Sequence, residues 1–588
     1  MQPGLMSGCK KIFYKFYVEE FIMKVKLIFV VLYVLINSLT IAQVPQMVEG
    51  WPYLTRTNGW AVYPTPRFSF DDNLESLAVF FNNVTLEIDK FKIDGSFYPG
   101  WPSIQDSGHF NRSPILVDID HDSKNEVVSV SYGMLYLVDD DGSIISPFPL
   151  AYGHLPLPNV ADFDGDGEYE LIFYDFPEIL YCIDLNGNIE PGWPVELPED
   201  IYGAMSVGGA VGDLDLDGTL EYVLVGDYNI YAYRYDGTMQ PGFPIASYDT
   251  TYYQNFWGDS PVLGDVDLDG YLEILTSAGI MRDDGTLDSY IAVYEHTGEM
   301  KENWPLMFPG EITRNNPIVA DINNDDVPEI GFSITGYDGD YFVDVNGNPL
   351  PGWPATLMWS QSDIIVVDID GDGDCEIFTD YNVLYPDSMG HDSTWYYGHS
   401  YLHAYDHFGE ELPGYPIIVN GHYFCRPPSF GYDEKNHRIY MGLFTSLNFY
   451  VDTGYVEVYI FPDSTGPPDQ WPMLGHDNLM TRNYNFVDNV TSIKDENKII
   501  PGNYILKQNY PNPFNNSTVI EFSLPDEEHV NLSVYDILGR KVDKLVDNKL
   551  TAGQHRITWC NKDVSSGIYF YVLKTEKAKI IRMMTILK

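Results

Sequence analysis

Short apolar segments separated by turn dipeptides repeat along most of this chain. Ile115-Leu116-Val117 and Val127-Val128, for example, flank an acidic stretch, and Asp141-Gly142 follows them. Asp-Gly and Asn-Gly dipeptides favour β-hairpins because the turn needs positive φ at its central residues. The apolar periodicity of helices is missing. The chain is therefore predicted to be all-β, with about four short strands in each unit.

An aromatic residue followed by proline marks each unit. These aromatic-Pro pairs are Trp51-Pro52, Trp101-Pro102, Phe148-Pro149, Trp193-Pro194, Phe243-Pro244, Trp304-Pro305, Trp353-Pro354, Tyr415-Pro416 and Trp471-Pro472. The nine pairs define eight intervals of 45 to 62 residues. Four strands in a repeat of that length predict the blade of a β-propeller. We favour seven blades, with segments from both ends of the domain completing one of them, and eight blades is the alternative.

Six acidic loops follow the same repeat. In each loop, side chains that offer oxygen ligands occupy positions 1, 3, 5 and 9. From the first loop to the sixth, these residues are Asp118, Asp120, Asp122 and Glu126; Asp162, Asp164, Asp166 and Glu170; Asp213, Asp215, Asp217 and Glu221; Asp265, Asp267, Asp269 and Glu273; Asp321, Asn323, Asp325 and Glu329; and Asp368, Asp370, Asp372 and Glu376.

This spacing of oxygen atoms suits calcium. Calcium takes six to eight oxygen ligands in a flexible geometry, and alternate residues of a tight turn can aim their oxygens at one point. Glycine at position 6 permits the sharp turn in four loops: Gly167, Gly218, Gly270 and Gly373. An EF-hand opens in the same way but needs an acid at position 12 and flanking helices. We predict about one Ca²⁺ per acidic loop, up to six in all, and the alternative is a solvated turn without metal.

The net charge and the cysteine spacing argue against several classes of partner and site. The formal net charge of −53 argues against nucleic-acid binding, which needs Lys and Arg at the phosphates, and against docking on an anionic membrane. No pair of cysteines has the C-x-x-C spacing of a zinc or redox site, so buried thiols are expected. The five are Cys9, Cys182, Cys375, Cys425 and Cys560.

The N-terminal residues are predicted to be an export signal. Met23 opens a short basic region, an apolar run extends from Leu27 to about Leu39, and Ala42 ends a signal-peptidase site. Residues 1–22 are then an upstream segment, and cleavage follows Ala42. The apolar run is shorter than a membrane span needs, so no transmembrane span is expected in the mature protein.

Composition divides the rest of the chain into domains. Residues 43–485 are assigned to the propeller, 486–503 to a polar linker, and 504–588 to a small β-sandwich (Ig-like) domain. Residues 501–588 hold 12 Lys and Arg against 9 Asp and Glu, a net charge of +3, while the remainder carries 21 against 77, a net charge of −56.

The acidic loops resemble the FG-GAP/VCBS repeats of integrin-α-like β-propellers over roughly residues 65–485. The F-G-G-A-P sequence itself is missing, and Gly208-Gly209-Ala210 is the nearest match. The resemblance implies calcium on the blade loops and, often, adhesion or ligand binding on a face of the propeller.

The C-terminal domain resembles type IX secretion sorting domains. The segments that carry the resemblance are Gln508-Asn509-Tyr510-Pro511-Asn512-Pro513-Phe514-Asn515, Val534-Tyr535-Asp536-Ile537-Leu538-Gly539-Arg540, Ala552-Gly553-Gln554-His555 and Ser566-Gly567-Ile568-Tyr569-Phe570. The resemblance implies that the type IX secretion machinery is a partner. It also implies a bacterial protein that is secreted or attached to the outer surface.

No G-x-S-x-G, H-E-x-x-H or P-loop motif occurs in the sequence, so no catalytic residue is predicted. The preferred function is adhesion or binding of an unknown protein or glycan ligand by an exported calcium-binding propeller. The alternatives are a secreted polysaccharide-active enzyme on the same scaffold and a structural surface spacer. Tyr-rich stretches at 248–257 and 380–405 are candidate ligand contacts. His399, His403 and His407 predict either an exposed polar strand or a transition-metal site.

Overall fold

Forty β-strands and no helix are found in the residues that the computed structural model describes. These residues are 44–55, 67–69, 77–82, 87–104, 114–120, 122, 124–131, 134–149, 158–175, 179–197, 208–226, 229–246, 260–282, 285–313, 316–335, 339–355, 363–386, 395–419, 427–433, 436–446, 454–461, 482–483, 505–506, 517–524, 528–536, 540–550, 553–560, 564, 567–575, 577 and 579–586. They fall into two units, residues 1–491 and 492–588.

The described part of the first unit contains eight antiparallel sheets. In the eighth sheet, two strands from the start of the domain, β1 (Gln46–Met47) and β2 (Tyr53–Thr55), both pair with β33. The strands of the first to seventh sheets are, in order, β3 (Arg67–Ser69), β4 (Leu77–Asn82), β5 (Glu87–Lys92) and β6 (Ser103–Ile104); β7 (Ile115–Val117), β8 (Glu126–Ser131), β9 (Met134–Val138) and β10 (Ile144–Pro149); β11 (Asn159–Ala161), β12 (Glu170–Asp175), β13 (Ile179–Asp184) and β14 (Val195–Glu196); β15 (Ala210–Gly212), β16 (Glu221–Val225), β17 (Asn229–Arg234) and β18 (Ile245–Ala246); β19 (Val262–Gly264), β20 (Glu273–Met281), β21 (Leu287–Tyr294) and β22 (Leu306–Pro309); β23 (Ile312–Thr313), β24 (Ile318–Ala320), β25 (Glu329–Thr335) and β26 (Gly339–Val343); and β27 (Ile365–Val367), β28 (Glu376–Pro386), β29 (Trp395–Tyr405) and β30 (Ile417–Val419). The eighth sheet also contains β31 (Ser429–Asp433), β32 (Arg438–Ser446) and β33 (Gly454–Phe461).

Apolar clusters between neighbouring sheets close the eight sheets into a ring. Separate clusters join the sheets pairwise from the first to the fifth, and one larger cluster spans the fifth to the eighth. Phe68 and Phe91 of the first sheet then pack with Tyr440 and Val456 of the eighth. A closed ring of four-stranded antiparallel sheets is a β-propeller, so the predicted fold class is confirmed.

The described residues match the eight repeat units of the sequence with one sheet each. Strands from both ends of the domain together form the eighth sheet. The seven-blade prediction had also placed segments from both ends in one blade. The terminal strands β1 and β2 add to a sheet that already has β31, β32 and β33.

The aromatic-Pro pairs hold each sheet to the next one round the ring. Five Trp indole N–H groups donate to a main-chain carbonyl in a hairpin of the following sheet, at an Asp-Gly or Asn-Gly turn in four cases and at Phe408-Gly409 in the fifth. These bonds are Trp51 to Ile93, Trp101 to Asp140, Trp193 to Tyr235, Trp304 to Val345 and Trp353 to His407, at 2.7 to 3.0 Å. A glycine precedes four of these Trp residues and permits the close approach, since a Cβ on Gly192 would lie 1.9 Å from the Asp236 carbonyl oxygen; Asn303, with φ of 73°, precedes Trp304.

Polar residues at the start of the innermost strands link four successive sheets. Ser260 Oγ donates to the Gly208 carbonyl at 2.9 Å, and the Ser260 amide donates to Asn316 Oδ1 at 2.8 Å. The Asn316 amide donates in turn to Asp363 Oδ1 at 3.1 Å. These bonds satisfy polar groups that the ring buries, which would otherwise cost free energy.

A segment that follows the last sheet in sequence lies against the innermost strands. The Leu263 amide donates to the Arg482 carbonyl at 2.9 Å, and Asn483 Nδ2 donates to the Val211 carbonyl at 3.0 Å. Because β19 pairs with β20 on its other edge, this contact is on the edge that faces the central channel. Arg482 and Asn483 are both buried, so the chain fills this part of its own channel.

The second unit is a sandwich of two antiparallel sheets. Its strands are β34 (Ile505–Leu506), β35 (Ser517–Leu524), β36 (Glu528–Asp536), β37 (Lys541–Leu550), β38 (Gly553–Cys560), β39 (Gly567–Lys574) and β40 (Lys579–Ile586). The order is β34-β35-β38 in one sheet and β37-β36-β39-β40 in the other. Phe522 and Leu524 of the first sheet pack with Leu532 and Tyr571 of the second. The predicted small β-sandwich is therefore confirmed.

Candidate metal centres

Each acidic loop joins the innermost strand of a sheet to the second strand. The glutamate at position 9 is in every case the first residue of that second strand, as Glu170 is of β12 and Glu376 of β28. Because the six loops occupy the same place in six successive sheets, all six lie at the same end of the ring.

Main-chain amides fold each loop around its own carboxylates. In the second loop, Asp162 accepts hydrogen bonds from the Gly165 amide at 2.8 Å and the Gly167 amide at 3.0 Å. Asp166 accepts from the Glu168 amide at 2.9 Å. The bond from the position 6 amide to the position 1 carboxylate recurs in the third to sixth loops. The backbone thus positions the side chains, and in the fifth loop Asn323 Nδ2 also donates to Glu329 Oε1 at 2.8 Å.

The glutamate at position 9 has a structural role in addition to its predicted role as a ligand, and this role was not predicted from the sequence. One of its carboxylate oxygens accepts a hydrogen bond from the amide at position 2 in every loop, at 2.7 to 3.0 Å. Only the other oxygen can serve as a ligand, and that oxygen already accepts from Asn323 Nδ2 at 2.8 Å in the fifth loop and from Lys301 Nζ at 3.4 Å in the fourth. This glutamate therefore ties the end of the loop to its start and faces the aspartates with one atom.

Left-handed backbone conformations shape the turns. Gly167 has φ of 94° at position 6, as predicted for a residue that must adopt positive φ. Position 4 is left-handed as well, with φ of 59° at Leu216 and 62° at Leu268, and sequence reasoning missed it. Its signal was present in the glycines at that position in two other loops, Gly165 and Gly371.

The predicted ligands converge in the described residues. Carboxylate oxygens of three of the four predicted ligands lie within 4.8 Å of one another in each of the first three loops: Asp118, Asp120 and Asp122; Asp162, Asp164 and Glu170; and Asp213, Asp215 and Glu221. In the fourth loop two overlapping sets meet this distance, Asp265, Asp267 and Asp269, and Asp267, Glu273 and Glu295. The fifth and sixth loops, which begin at Asp321 and Asp368, have the same backbone hydrogen bonds.

The glutamates at position 9 are held in an environment that disfavours their charge. Burial, reinforced by repulsion from aspartates of the same loop, raises their pKa in all six loops. The pKa reaches about 8 for Glu126, Glu170, Glu221 and Glu273, about 7 for Glu329, and about 9 for Glu376. A bound cation would relieve this cost and keep the carboxylates ionised.

The third loop tests whether a cation fits these residues. Glu221 is fully buried, and its Oε1 has no hydrogen-bond partner. Asp215 Oδ1 is also buried and without one. Such atoms carry a desolvation penalty unless something pairs with them. An all-oxygen donor set with unpaired anionic oxygens suits Ca²⁺, so the residues fit the predicted ion.

Basic side chains distinguish the loops from one another. Lys301 Nζ lies 2.7 Å from Asp267, 2.9 Å from Glu295 and 3.4 Å from Glu273, and its side chain is 11% exposed. Burial opposes its charge, but hydrogen bonds to Asp267 and Glu295 raise the pKa of Lys301 above its usual value. In the first loop, the more exposed Lys124 pairs with Asp122 at 2.9 Å.

The third loop also has neighbours beyond its own residues, since Arg234 and Gln240 both donate to Asp215 Oδ2. The second loop is approached by an acid. Burial, followed by the charges of Asp184, Asp164 and Asp166, raises the pKa of Glu190. None of these neighbours was singled out from the sequence.

The histidines at 403 and 407 have separate acidic partners. His403 Nδ1 lies 2.6 Å from Glu411, and His407 Nδ1 lies 3.4 Å from Asp374. The side chain of His403 is 12% exposed, less than the predicted exposed polar strand would leave it. The side chain of His399 lies outside the described residues. Cys182 and Cys375 are buried free thiols, as predicted.

Family comparisons identify both parts of the chain. Residues 508–587 match the secretion system C-terminal sorting domain, and residues 213–276 match the FG-GAP-like repeat. The second match begins at position 1 of the third acidic loop and ends in β20, so it includes the third and fourth acidic loops. No curated protein matches the chain in sequence.

Solved structures with related folds share little sequence with this chain. The Vibrio cholerae biofilm matrix protein Bap1 is 12% identical with a TM-score of 0.49, covering 74% of this chain and 96% of its own. A Bacillus licheniformis rhamnogalacturonan lyase is 14% identical with a TM-score of 0.42, covering 72% and 74%. PorZ, a surface component of the type IX secretion system of Porphyromonas gingivalis, is 11% identical with a TM-score of 0.21, covering 89% and 93%.

Within the described residues, no helix is long and apolar enough to cross a lipid bilayer. The predicted signal peptide, residues 23–42, lies outside them.

Proposed function

From an FG-GAP-like propeller that carries a type IX sorting domain, we propose an exported protein whose acidic loops bind calcium and whose opposite end binds a protein or glycan ligand at the cell surface. The chain is a secreted or outer-surface bacterial propeller protein. Calcium and the ligand are the proposed parts. Calcium would be a structural ion, because the loops lie between strands and contain no catalytic group of their own.

The unpaired buried oxygens of the third loop carry the calcium proposal. Asp213, Asp215 and Glu221 would bind the ion there, and the corresponding side chains are the candidate ligands in the other loops. Five loops offer four carboxylates each, whereas the fifth offers three and the amide of Asn323. Closely grouped carboxylates repel one another without a cation, so the ion and the fold should stabilise each other.

A projecting hairpin in the seventh sheet supports ligand binding at the end opposite the loops. β28 and β12 both begin at the glutamate of an acidic loop, but β28 has 11 residues and β12 has six. The extra five residues extend β28 by about 16 Å away from the loops. The register pairs Tyr385 with Tyr396 and Pro386 with Trp395 in this extension. Aromatic residues on a projecting element are common in protein and glycan recognition.

The occupied channel favours binding over catalysis. A polysaccharide-active enzyme on this scaffold would need convergent acid, Lys or His side chains at the central channel. The innermost strands of five sheets, β7, β15, β19, β24 and β27, consist of apolar residues and glycine, and Arg482 and Asn483 fill part of the space. The ligand site is therefore assigned to the projecting hairpin.

The test combines ligand arrays with thermal unfolding on the full chain. One variant replaces residues 383–399 with Asn-Gly, which joins Asn382 to Ser400, two residues that already pair in register. It should lose protein or glycan binding while keeping its melting temperature. Chelation should lower the melting temperature of both proteins, on the order of 10 °C, since each site at 100-fold excess over its Kd adds about 2.7 kcal/mol.

An unchanged melting curve in chelator would refute the calcium assignment. Ligand binding that survives the hairpin replacement would refute the assignment of the site, whatever the effect of the chelator.

A further inference from the structure

One backbone position recurs beside the acidic loops, and its side chain is acidic, amide, basic or apolar depending on the sheet. It lies three residues before the aromatic residue of the aromatic-Pro pair, and we call it the tuning position. Its amide donates to the third strand of the same sheet. These bonds are Glu190 to the Cys182 carbonyl, Gln240 to Ala232, Lys301 to Val293, Leu350 to Phe342 and Leu412 to Ala404, at 2.8 to 3.0 Å. The equivalence is thus structural, and not only a matter of spacing.

The side chain at the tuning position reaches the acidic loop of its own sheet. Lys301 Nζ contacts Asp267 and Glu273 of the fourth loop. Gln240 Nε2 donates to Asp215 of the third loop at 2.9 Å. Leu350 and Leu412, in the sixth and seventh sheets, offer no polar group to the fifth and sixth loops.

The side chains at the tuning position also differ in charge. Glu190 adds an acid beside the second loop, where the charges of Asp164 and Asp166 act on it. Lys301 instead brings an ammonium group into the cluster of Asp267, Glu273 and Glu295, whose oxygens lie within 4.8 Å of one another. The Glu273 oxygen that faces this ammonium corresponds to the Glu221 oxygen that has no partner in the third loop.

We infer that the tuning position decides which acidic loops take calcium. The ammonium of Lys301 takes the place of the ion in the fourth loop, which folds without calcium. The extra carboxylate of Glu190 makes the second loop bind calcium more tightly than a loop with a neutral tuning residue. This inference rests on the proposed calcium sites and adds their distribution over the ring.

Electrostatics supports both halves of the inference. A divalent ion that entered the fourth loop would sit beside a fixed positive charge in a partly buried site, where charges are weakly screened. The lysine cannot leave easily, because its side chain is 11% exposed and three acidic groups hold it. Conversely, calcium affinity rises with the number of negative charges around a loop.

Calcium stoichiometry of the full chain tests the inference directly. Equilibrium dialysis with metal analysis would count the ions bound by the natural chain, Lys301→Met, Lys301→Arg and Leu350→Met. Lys301→Met should bind one more Ca²⁺ per chain than the natural protein. Lys301→Arg keeps the charge and Leu350→Met changes a neutral tuning residue, so both should bind the natural number.

Glu190→Gln tests the second loop. It should leave the number of ions at saturating calcium unchanged and weaken one site by about tenfold, which calorimetric titration would resolve. An unaltered set of affinities would overturn this half of the inference.

The outcomes separate the inference from the proposed function. A natural chain that binds no calcium refutes the proposed function. A natural chain that binds calcium, with Lys301→Met binding the same number, refutes the role of Lys301 alone. A Lys301→Met chain that does not fold in millimolar calcium also refutes it, because the vacated loop should fold around the ion.

Discussion

At the scale of single residues, the ring buries acidic groups that are not part of the loops. Asp340 is 1% exposed, and its Oδ1 accepts a hydrogen bond from Ser333 while its Oδ2 has no partner. Burial, with a further contribution from Asp380 in the next sheet, raises the pKa of Asp340 to about 6. This carboxyl is therefore more easily protonated in the folded chain than in the unfolded one.

The stability of the propeller should depend on the protonation of Asp340. A raised pKa in the folded state contributes stability that is complete below the unfolded value of 3.8 and is lost as the pH rises through about 6. A shift of this size corresponds to about 3 kcal/mol between pH 4 and pH 7.5. Asp340→Asn cannot titrate. Its free energy of unfolding should therefore rise relative to that of the natural chain by about 3 kcal/mol as the pH rises from 4 to 7.5. Denaturant unfolding at both pH values would measure the difference.

The comparison uses the difference between the two proteins because the other carboxylates titrate equally in both. Ser333→Ala leaves the carboxyl but removes a hydrogen bond that holds the pKa of Asp340 down, so its pH slope should be at least as steep as that of the natural chain. Parallel slopes for Asp340→Asn and the natural chain would contradict the assignment.

The residue scale also shows where sequence reasoning stops. The oxygen ligands at positions 1, 3, 5 and 9 were predictable, because alternation in a tight turn is a local property of the sequence. The tuning position was not, since Lys301 lies 34 residues from Asp267 and meets it only through the antiparallel pairing of the sheet. The left-handed backbone at Leu216 was hidden by a side chain that rarely adopts it.

At the scale of elements, the aromatic-Pro pairs fasten neighbouring sheets together. The sequence showed their period but not their partners, because the indole of Trp193 bonds to the Tyr235 carbonyl, 42 residues later and in the next sheet. The Trp193 ring also packs edge-on against Phe163. A pattern with a fixed period therefore indicates the repeat length, but it does not show which neighbouring sheet each residue contacts.

Trp193→Phe should weaken one junction between sheets. It removes the hydrogen bond of 2.7 Å to Tyr235 and leaves a carbonyl oxygen without its partner, at a cost of about 1–3 kcal/mol. The loss should be the same with and without calcium, because the junction does not contain an acidic loop ligand. Denaturant unfolding in both conditions would measure it.

Phe408→Leu provides the control for an aromatic substitution, since that side chain is 55% exposed and should change stability by less than about 0.5 kcal/mol. A Trp193→Phe chain as stable as this control would show that the indole bond does not hold the junction.

At the scale of the whole molecule, the strands, the repeat and the sorting domain could be read from local patterns, but the closure of the ring could not. Pairing of β1 and β2 with β33 joins residues about 400 apart, and no local signal in Gln46 or Tyr53 identifies that partner. The contact of Asn483 with Val211 spans 272 residues and was not expected at all. Both depend on the geometry of a closed ring, which a count of repeats leaves undecided between seven and eight sheets.

The channel segment should be a structural part of the propeller even though it follows the last sheet. Asn483→Asp replaces the amide that donates to the Val211 carbonyl with a buried carboxylate facing that oxygen, which should cost at least about 2 kcal/mol. The Leu263 amide, which donates to the Arg482 carbonyl, should then exchange its hydrogen faster, while amides of β20 that pair inside the sheet keep their protection. Hydrogen exchange with mass spectrometry on the full chain would measure both.

Asn489→Asp, in the predicted linker, supplies the same chemical change outside the segment and should leave exchange and stability unaltered. If Asn483→Asp behaves like Asn489→Asp, the segment does not stabilise the channel. If it differs as expected, the propeller depends on residues that precede the sorting domain, so removal of that domain after export would leave the channel closed.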